Sequence, residues 1–313
     1  MSVSVSDLYT SEGGPISPVD FHCHSTCSDG TEGPREVVRE AAELGIRYLA
    51  LTDHDTVAGV KEAHDEAALH PSLTLVSGVE MSCKYMALGK TCHVLVYYSG
   101  TLPTPMAELM RERRELRKQR AVQIVAKLST LNMDVGHIIL PMLEGSDSDS
   151  IGRPHIADAL VSEGHCTDRT ECFDKWLGTG CPAYVKVPAP LPATKCIALA
   201  RSCGCVCSWA HPMQSRMTQG NGLEQALKDM VDAGLWGLEC LHPDYEEAQT
   251  EVLLDAADRH SLARTAGSDC HGAGKPGIAL GRGQVSHPFC VPVEWGQTLV
   301  QAVQAAETEG ASA

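Results

Sequence analysis

Short apolar runs in this chain end repeatedly in histidine or carboxylate. VDFHCH, IRYLALTDHD, LTLVSGVE, CVCSWAHP and LARTAGSDCHG share this pattern, and KTCHVLVYY carries His93 near its start. Helix-like segments lie between many of them. PREVVREAAELG has Pro34 in its first turn, apolar Val37, Val38, Ala41, Ala42 and Leu44 at helical spacing, and Gly45 as a stop. VAGVKEAHDEAALH, KCIALARSCG, GLEQALKDMVDAG and YEEAQTEVLLDAADRH read the same way, the last with Val252, Leu253, Ala256 and Ala257 among its apolar positions. Strands alternating with helices predict an α/β fold with a mainly parallel sheet. In a β/α barrel, polar residues at strand carboxyl ends converge on the face where active sites are built.

The alternation is interrupted once. From about 105 to 194 no clear strand–helix unit appears. A long polar helix is predicted at about 106–131, then an irregular run EGSDSDS at 144–150, short helical pieces, and the proline-rich VPAPLPA at 187–193. The reading is a barrel in two parts, 19–104 and 195–313, with a mostly helical insertion at 105–194 and a flexible tail at 1–18. A short helix is expected after about Thr298. The chain of 313 residues is long enough for one such domain with an insertion.

His22-Cys23-His24 places two imidazoles two residues apart on a strand, so both point the same way. Asp29 follows in the turn-like Ser28-Asp29-Gly30. Asp53-His54-Asp55 ends an apolar strand, and ionisable groups there are costly unless paired or metal-bound. His54 is the better ligand of the three. Glu80 ends its strand and can bridge two cations; a salt bridge is the plain alternative. His93 and His211 sit near strand ends, where a solvent-facing or turn histidine is also ordinary. Asp269 and His271 repeat the two-residue spacing. Cys23 and Cys270 are excluded as ligands, because soft thiolates suit hard cations poorly. Each residue alone is weak. Nine together, six His, two Asp and one Glu, imply a metal centre, and their number requires more than one ion. Mixed imidazole and carboxylate donors suit Zn2+, Mn2+ or Fe2+.

The net charge is −15, from 25 basic and 40 acidic residues. That disfavours long duplex DNA and anionic membranes, yet leaves small phosphate-bearing substrates open. Bound cations would reverse the local field. The 14 cysteines form no CxxC pair and are read as thiols in a reducing compartment, so the expected location is cytoplasmic. No N-terminal apolar stretch reads as a signal peptide or membrane span. No obligate protein partner is predicted.

The motifs DFHCHSTCSDG, LTDHDTVAG, GVE, His93, IGRPHIADALV, AHP and GSDCHG resemble the PHP (polymerase and histidinol phosphatase) superfamily over about Val19 to Gly281. Within it the chain is most similar to the TrpH/YciV-like branch, which includes nucleoside 3',5'-bisphosphate phosphatases and a 5'-to-3' exoribonuclease acting on short RNA. The resemblance implies a distorted TIM-like (β/α)7 barrel, a helical insertion and three divalent metal ions. It assigns His22, His24, Glu80 and Asp269 to the first metal. Glu80, His93 and His211 fall to the second, and Asp29, His54 and His271 to the third. It further implies a hydroxide bridging two cations as nucleophile, beside His211 and Asp269.

Arg113, Arg117 and Arg120 share one helix face, and their partner is either a phosphate or a barrel carboxylate. Arg153 and His155 open a helix, a place suited to phosphate, unless Arg153 only pins the insertion. Lys275 is a further candidate for phosphate. The implied reaction is loss of the 3'-phosphate from a nucleoside 3',5'-bisphosphate. Alternatives are 5'-to-3' hydrolysis of short RNA, hydrolysis of a cyclic sugar phosphate, and a noncatalytic metal-stabilised accessory module.

Overall fold

The computed structural model describes residues 4–144, 150–215, 217 and 221–310. Most of the irregular run expected at 144–150 lies outside the described residues. The chain divides into two compact units, one of Met1–Ala107 with Leu191–Ala313, the other of Glu108–Pro190.

The first unit holds a seven-stranded sheet in the order β1-β2-β3-β4-β5-β6-β7. The strands are β1 (Val19–Cys23), β2 (Tyr48–Leu51), β3 (Thr74–Tyr85), β4 (Lys90–Tyr98), β5 (Val206–Ala210), β6 (Gly237–Leu241) and β7 (Ala263–Ala266). Helices α1 (Pro34–Leu44) and α2 (Val60–Ala67) link the first three strands. Strands β1, β5 and β6 are buried at every residue, as expected where one face fills a barrel and the other meets helices. Helix α1 packs Val37, Val38 and Ala41 on Leu49 and Leu51 of β2. It stops at Gly45, whose φ of 83° lies in the left-handed region that glycine enters freely.

The sheet is mainly parallel, with β4 as the exception: it runs antiparallel to both β3 and β5. The reason is local. Only Met86–Gly89 separates β3 from β4, and a parallel return needs a crossover of a dozen or more residues.

Closure brings β1 against the segment after β7. Asp269 N donates to His22 O at 2.7 Å and His24 N to Cys270 O at 2.9 Å. Buried Asp20 clasps this seam by accepting from Ser268 N at 2.9 Å and Gly281 N at 2.8 Å. Gly267 permits the approach: a Cβ there would lie 2.2 Å from His22 Cβ and 2.5 Å from His22 N.

The remaining helices of this unit are α7 (Ala193–Ser202), α8 (Gly222–Asp232), α9 (Glu247–Arg259) and α10 (Val293–Gly310). On α9, Leu253, Ala256 and Ala257 are buried as expected, but Val252 faces solvent at 47% exposure. Helix α10 begins before the predicted Thr298. Within the stretch expected as a flexible tail, the segment around Leu8 and Tyr9 is instead packed. Leu8 is fully buried, Cys290 N donates to Leu8 O, and Tyr9 bridges to Phe289. Its partner lies some 280 residues along the chain, so no local pattern announces it.

The second unit contains most of α3 (Thr104–Thr130), with α4 (Gly136–Glu144), α5 (Arg153–Ser162) and the short α6 (Arg169–Cys172). Its own core gathers Ile124, Leu128, Ile139, Ile156, Leu160 and Leu177. Among the described residues no disulfide joins the cysteines, and no helix is long and apolar enough to cross a membrane.

Gly267→Ala is expected to destabilise the barrel by about 1–3 kcal/mol or more, since the added methyl meets the main chain and Cβ of His22, which no rotamer change moves. A denaturation midpoint equal to wild type would show that the seam does not need glycine.

Candidate metal centre

The exits of the strands collect the ionisable residues. Glu80, near the middle of the long β3, is wholly buried and faces five imidazoles. Its Oε2 lies 3.3 Å from His22 Nε2, 3.3 Å from His24 Nε2 and 2.9 Å from His54 Nδ1. Its Oε1 lies 2.7 Å from His93 Nδ1 and 2.8 Å from His211 Nε2. Asp269 Oδ1 completes one group, 3.4 Å from His22 Nε2 and 3.2 Å from His24 Nε2. Asp29 forms another, its Oδ1 lying 3.3 Å from His271 Nε2 and its Oδ2 3.8 Å from His54 Nε2.

Three sets of donor atoms are therefore close enough to share an ion: His22, His24, Glu80 and Asp269; His24, Asp29, His54 and His271; and His54, Glu80 and His93. His211 adjoins the last set, 3.3 Å from His93 Nδ1. All nine residues singled out in the sequence thus meet in one cluster. The sharing differs from the assignment implied by the family resemblance, because His24 and His54 each face two sets.

Five buried donor atoms, His22 Nε2, His24 Nε2, Asp29 Oδ1, His54 Nδ1 and Glu80 Oε2, make no hydrogen bond of good geometry. Such orphans cost about 1–3 kcal/mol each, and metal ligation relieves that cost. The field points the same way. Burial pushes the His24 imidazole down, but Asp269 and Glu80 outweigh it and hold it up to about 10. Burial pushes Glu80 up, yet His54, His93 and His22 hold it well below the usual carboxylate range. A field that retains a proton on a buried imidazole also favours a divalent cation. The residues fit the group.

Local structure aims these side chains. Asp55, His211 and Asp269 have positive φ of 51°, 29° and 49° at the exits of β2, β5 and β7. Such backbone costs of order 1–3 kcal/mol and collects where function requires it. Asp53, which belongs to none of the three donor sets, holds the loop bearing Asp29: it accepts from Ser25 N at 2.7 Å, Ser25 Oγ at 2.6 Å and Ser28 Oγ at 2.6 Å. Cys23 Sγ turns away to Ala50 O at 3.3 Å. Lys275 Nζ meets Asp269 Oδ2 at 2.9 Å and Asp244 Oδ2 at 3.6 Å.

The other predicted phosphate contacts lie in the second unit. Arg113 Nη1 donates to Ala189 O at 2.7 Å. Arg120 Nε donates to Val185 O at 2.9 Å, with its guanidinium 5.8 Å above the Tyr184 ring. Arg153 lies 5.3 Å over Phe173 and reaches Leu177 O at 3.4 Å. His155 Nδ1 accepts from Gly152 N at 3.1 Å, closing the start of α5. Arg117 sits beside Gly152, where an added Cβ would come 3.0 Å from its Nη1. Burial, then Arg153, push Arg120 down to about 10, and Arg117 adds to the effect.

The sequence reading missed two wholly buried residues of β6 and its exit, Glu239 and His242. Glu239 Oε1 accepts from His22 Nδ1 at 2.9 Å, and His242 Nε2 lies 3.2 Å from Asp269 Oδ2. A carboxylate between Leu238 and Cys240, in an otherwise apolar strand, was the available signal.

Residues 20–149 match the PHP domain model. A 5'-3' exoribonuclease of Haemophilus influenzae is 32% identical over 253 residues, covering 80% of this chain and 89% of that protein. A 3',5'-nucleoside bisphosphate phosphatase of Chromobacterium violaceum is 31% identical over 278 residues, covering 88% and 94%. A solved structure from Bifidobacterium adolescentis, assigned as a metal-dependent phosphoesterase, superposes with a TM-score of 0.80 at 31% identity, over 92% of this chain and 97% of that one. A seven-stranded barrel delivering buried imidazoles and carboxylates to one point makes this chain a metal-dependent phosphoesterase. It belongs to the PHP domain family.

Glu80→Gln is expected to lower the metal content by more than a single equivalent, because the two oxygens of Glu80 face different imidazoles. Elemental analysis of the purified variant checks this; loss confined to a single equivalent would refute a shared role for Glu80.

Proposed function

We propose that this enzyme removes the 3'-phosphate of nucleoside 3',5'-bisphosphates to leave 5'-nucleotides, using three divalent cations of the Mn2+, Fe2+ or Zn2+ type. The observation that carries the reading is Glu80, buried without exposure and shared among His22, His24, His54, His93 and His211. The likeness to the bisphosphate phosphatase, extending over nearly all of that protein, supports the substrate class.

Bound divalent cations lower the pKa of water and neutralise phosphoryl oxygens. The chain's part is to hold and orient. His22, His24, Glu80 and Asp269 form one ligand group; His93 and His211 join Glu80 in the second; Asp29, His54 and His271 form the third. His211 and Asp269 are the residues we assign to the attacking hydroxide that such cations would supply. Arg113, Arg117, Arg120, Arg153 and His155 bind a substrate phosphate, with Lys275 beside Asp269. The mutual repulsion of Arg117, Arg120 and Arg153 supports this, since an anion relieves it. A small substrate also suits the acidic chain better than long duplex DNA.

A second reading is 5'-to-3' hydrolysis of short RNA, favoured by the likeness to the Haemophilus influenzae exoribonuclease. Both reactions yield 5'-nucleotides. With Mn2+, the purified protein is expected to release phosphate from adenosine 3',5'-bisphosphate. Chelator or Asp269→Asn should abolish the release. Release of mononucleotide from a 5'-phosphorylated dinucleotide, with the bisphosphate left intact, would favour the second reading. Inertness towards both would sink the two together.

Arg153→Ala is expected to raise KM for the bisphosphate by roughly 10- to 150-fold with kcat little changed, the worth of one charge-assisted hydrogen bond. An unchanged KM would assign Arg153 to the packing of the insertion alone.

A further inference from the structure

Six of the seven strands, with the loops that follow them, supply the clustered donors: His22, His24 and Asp29 after or on β1, His54 after β2, Glu80 on β3, His93 on β4, His211 after β5, Asp269 and His271 after β7. Strand β6 supplies none. It nevertheless carries Glu239 and is followed by His242, both fully buried, and together they touch three of the donor residues.

Glu239 uses both oxygens. Oε1 takes the hydrogen of His22 Nδ1 at 2.9 Å, and Oε2 takes the main-chain N–H of His211 at 2.6 Å. The first bond places a proton on His22 Nδ1 and so leaves Nε2, which faces Glu80 and Asp269, as the nitrogen available to a cation. The second braces His211 where its φ is positive. His242 works in the reverse sense. Its Nδ1 accepts from Asp244 N at 3.1 Å, so its proton lies on Nε2 and is donated to Asp269 Oδ2 at 3.2 Å. Lys275 Nζ meets the same oxygen. Asp269 Oδ2 is thus occupied, and Oδ1 alone is left for the cluster. A bulge makes this possible. The register of β6 on β7 slips between Glu239 and Leu241, and Cys240 Sγ points outward to Leu253 O. Regular alternation would set residues 239 and 242 on opposite faces; the slip lets both turn inward.

We infer that β6 is the orienting strand of the centre: Glu239 fixes the tautomer of His22 and the backbone of His211, and His242 restricts Asp269 to one ligating oxygen. Glu239 and His242 are positioning residues, acting on a cation only through the residues they hold. The inference rests on the metal-centre reading above.

Glu239→Gln tests it with almost no change of shape. An amide has one acceptor oxygen for two N–H donors. Either His211 N–H loses its partner, or the amide N–H donates to His22 Nδ1 and drives the proton onto Nε2, where ligation is blocked. The full chain is stripped with chelator and titrated with Mn2+ alone, with bound metal counted by electron paramagnetic resonance. Glu239→Gln is expected to weaken Mn2+ binding by about 10- to 100-fold, with turnover recovering at raised Mn2+ and KM unchanged. His242→Ala should weaken it in the same direction and carries the test should Glu239→Gln fail to fold. The thermal midpoint of the chelated proteins reports folding separately. Wild-type Mn2+ affinity in both folded variants would overturn the inference while leaving the metal centre standing. Absence of Mn2+ binding by the wild type would overturn the metal-centre reading itself.

Discussion

Glu80 is the constraint around which this molecule is arranged. A carboxylate without solvent exposure needs positive or hydrogen-bearing partners on all sides, and five imidazoles from four different places in the chain supply them. To bring them there, β1, β2, β4 and β5 must end or begin beside β3 at the same height. A barrel does this, because its strands share one rim. The antiparallel β4 fits the same demand. Running against its neighbours, it presents His93 near its beginning, opposite Ala210 and beside His211 at the end of β5.

The cost of this convergence is spread through the surrounding structure. Positive φ at Asp55, His211 and Asp269 is held in each case by a hydrogen bond from the residue's own N–H: Asp55 N to Glu80 O, His211 N to Glu239, Asp269 N to His22 O. Two further buried acids, Asp20 and Asp53, bond to main-chain N–H groups and hydroxyls rather than to imidazoles, and so tie loops instead of joining the cluster. Identical side chains serve two purposes, set by whether imidazoles or amides surround them.

Much of this was legible in the sequence because metal donors are chemically conspicuous. His22 and His24 at a two-residue spacing, and Asp269 and His271 likewise, point one way on extended backbone whatever the rest of the chain does. The elements carrying them were legible too, since α1 and α9 bury most of the apolar positions their spacing marks. What escaped was set by distant partners. Leu8 and Tyr9 read as tail until Phe289 and Cys290 are beside them. Glu239 and His242 carry the same side chains as the donors, and the slip in β6 sets them facing the cluster from behind, which a strand pattern does not foretell. Arg120 and Arg153 show backbone carbonyls and aromatic rings as neighbours, contacts that helix spacing does not foretell.

The seam between β1 and the segment after β7 has a bearing on the order in which the molecule is made. His22 and His24 leave the ribosome before their hydrogen-bonded neighbours Asp269 and Cys270, which lie about 245 residues later. Until those are synthesised, β1 has one edge unpaired, and Glu80 has His22, His24, His54 and His93 for company without His211 or Asp269. The second unit has its own core and can condense meanwhile. Closure over so long a separation is slow by the rule that non-local pairing delays folding. The centre is therefore assembled last, as the final strand seals the barrel, and the growing chain offers a cation only a partial set of donors until then.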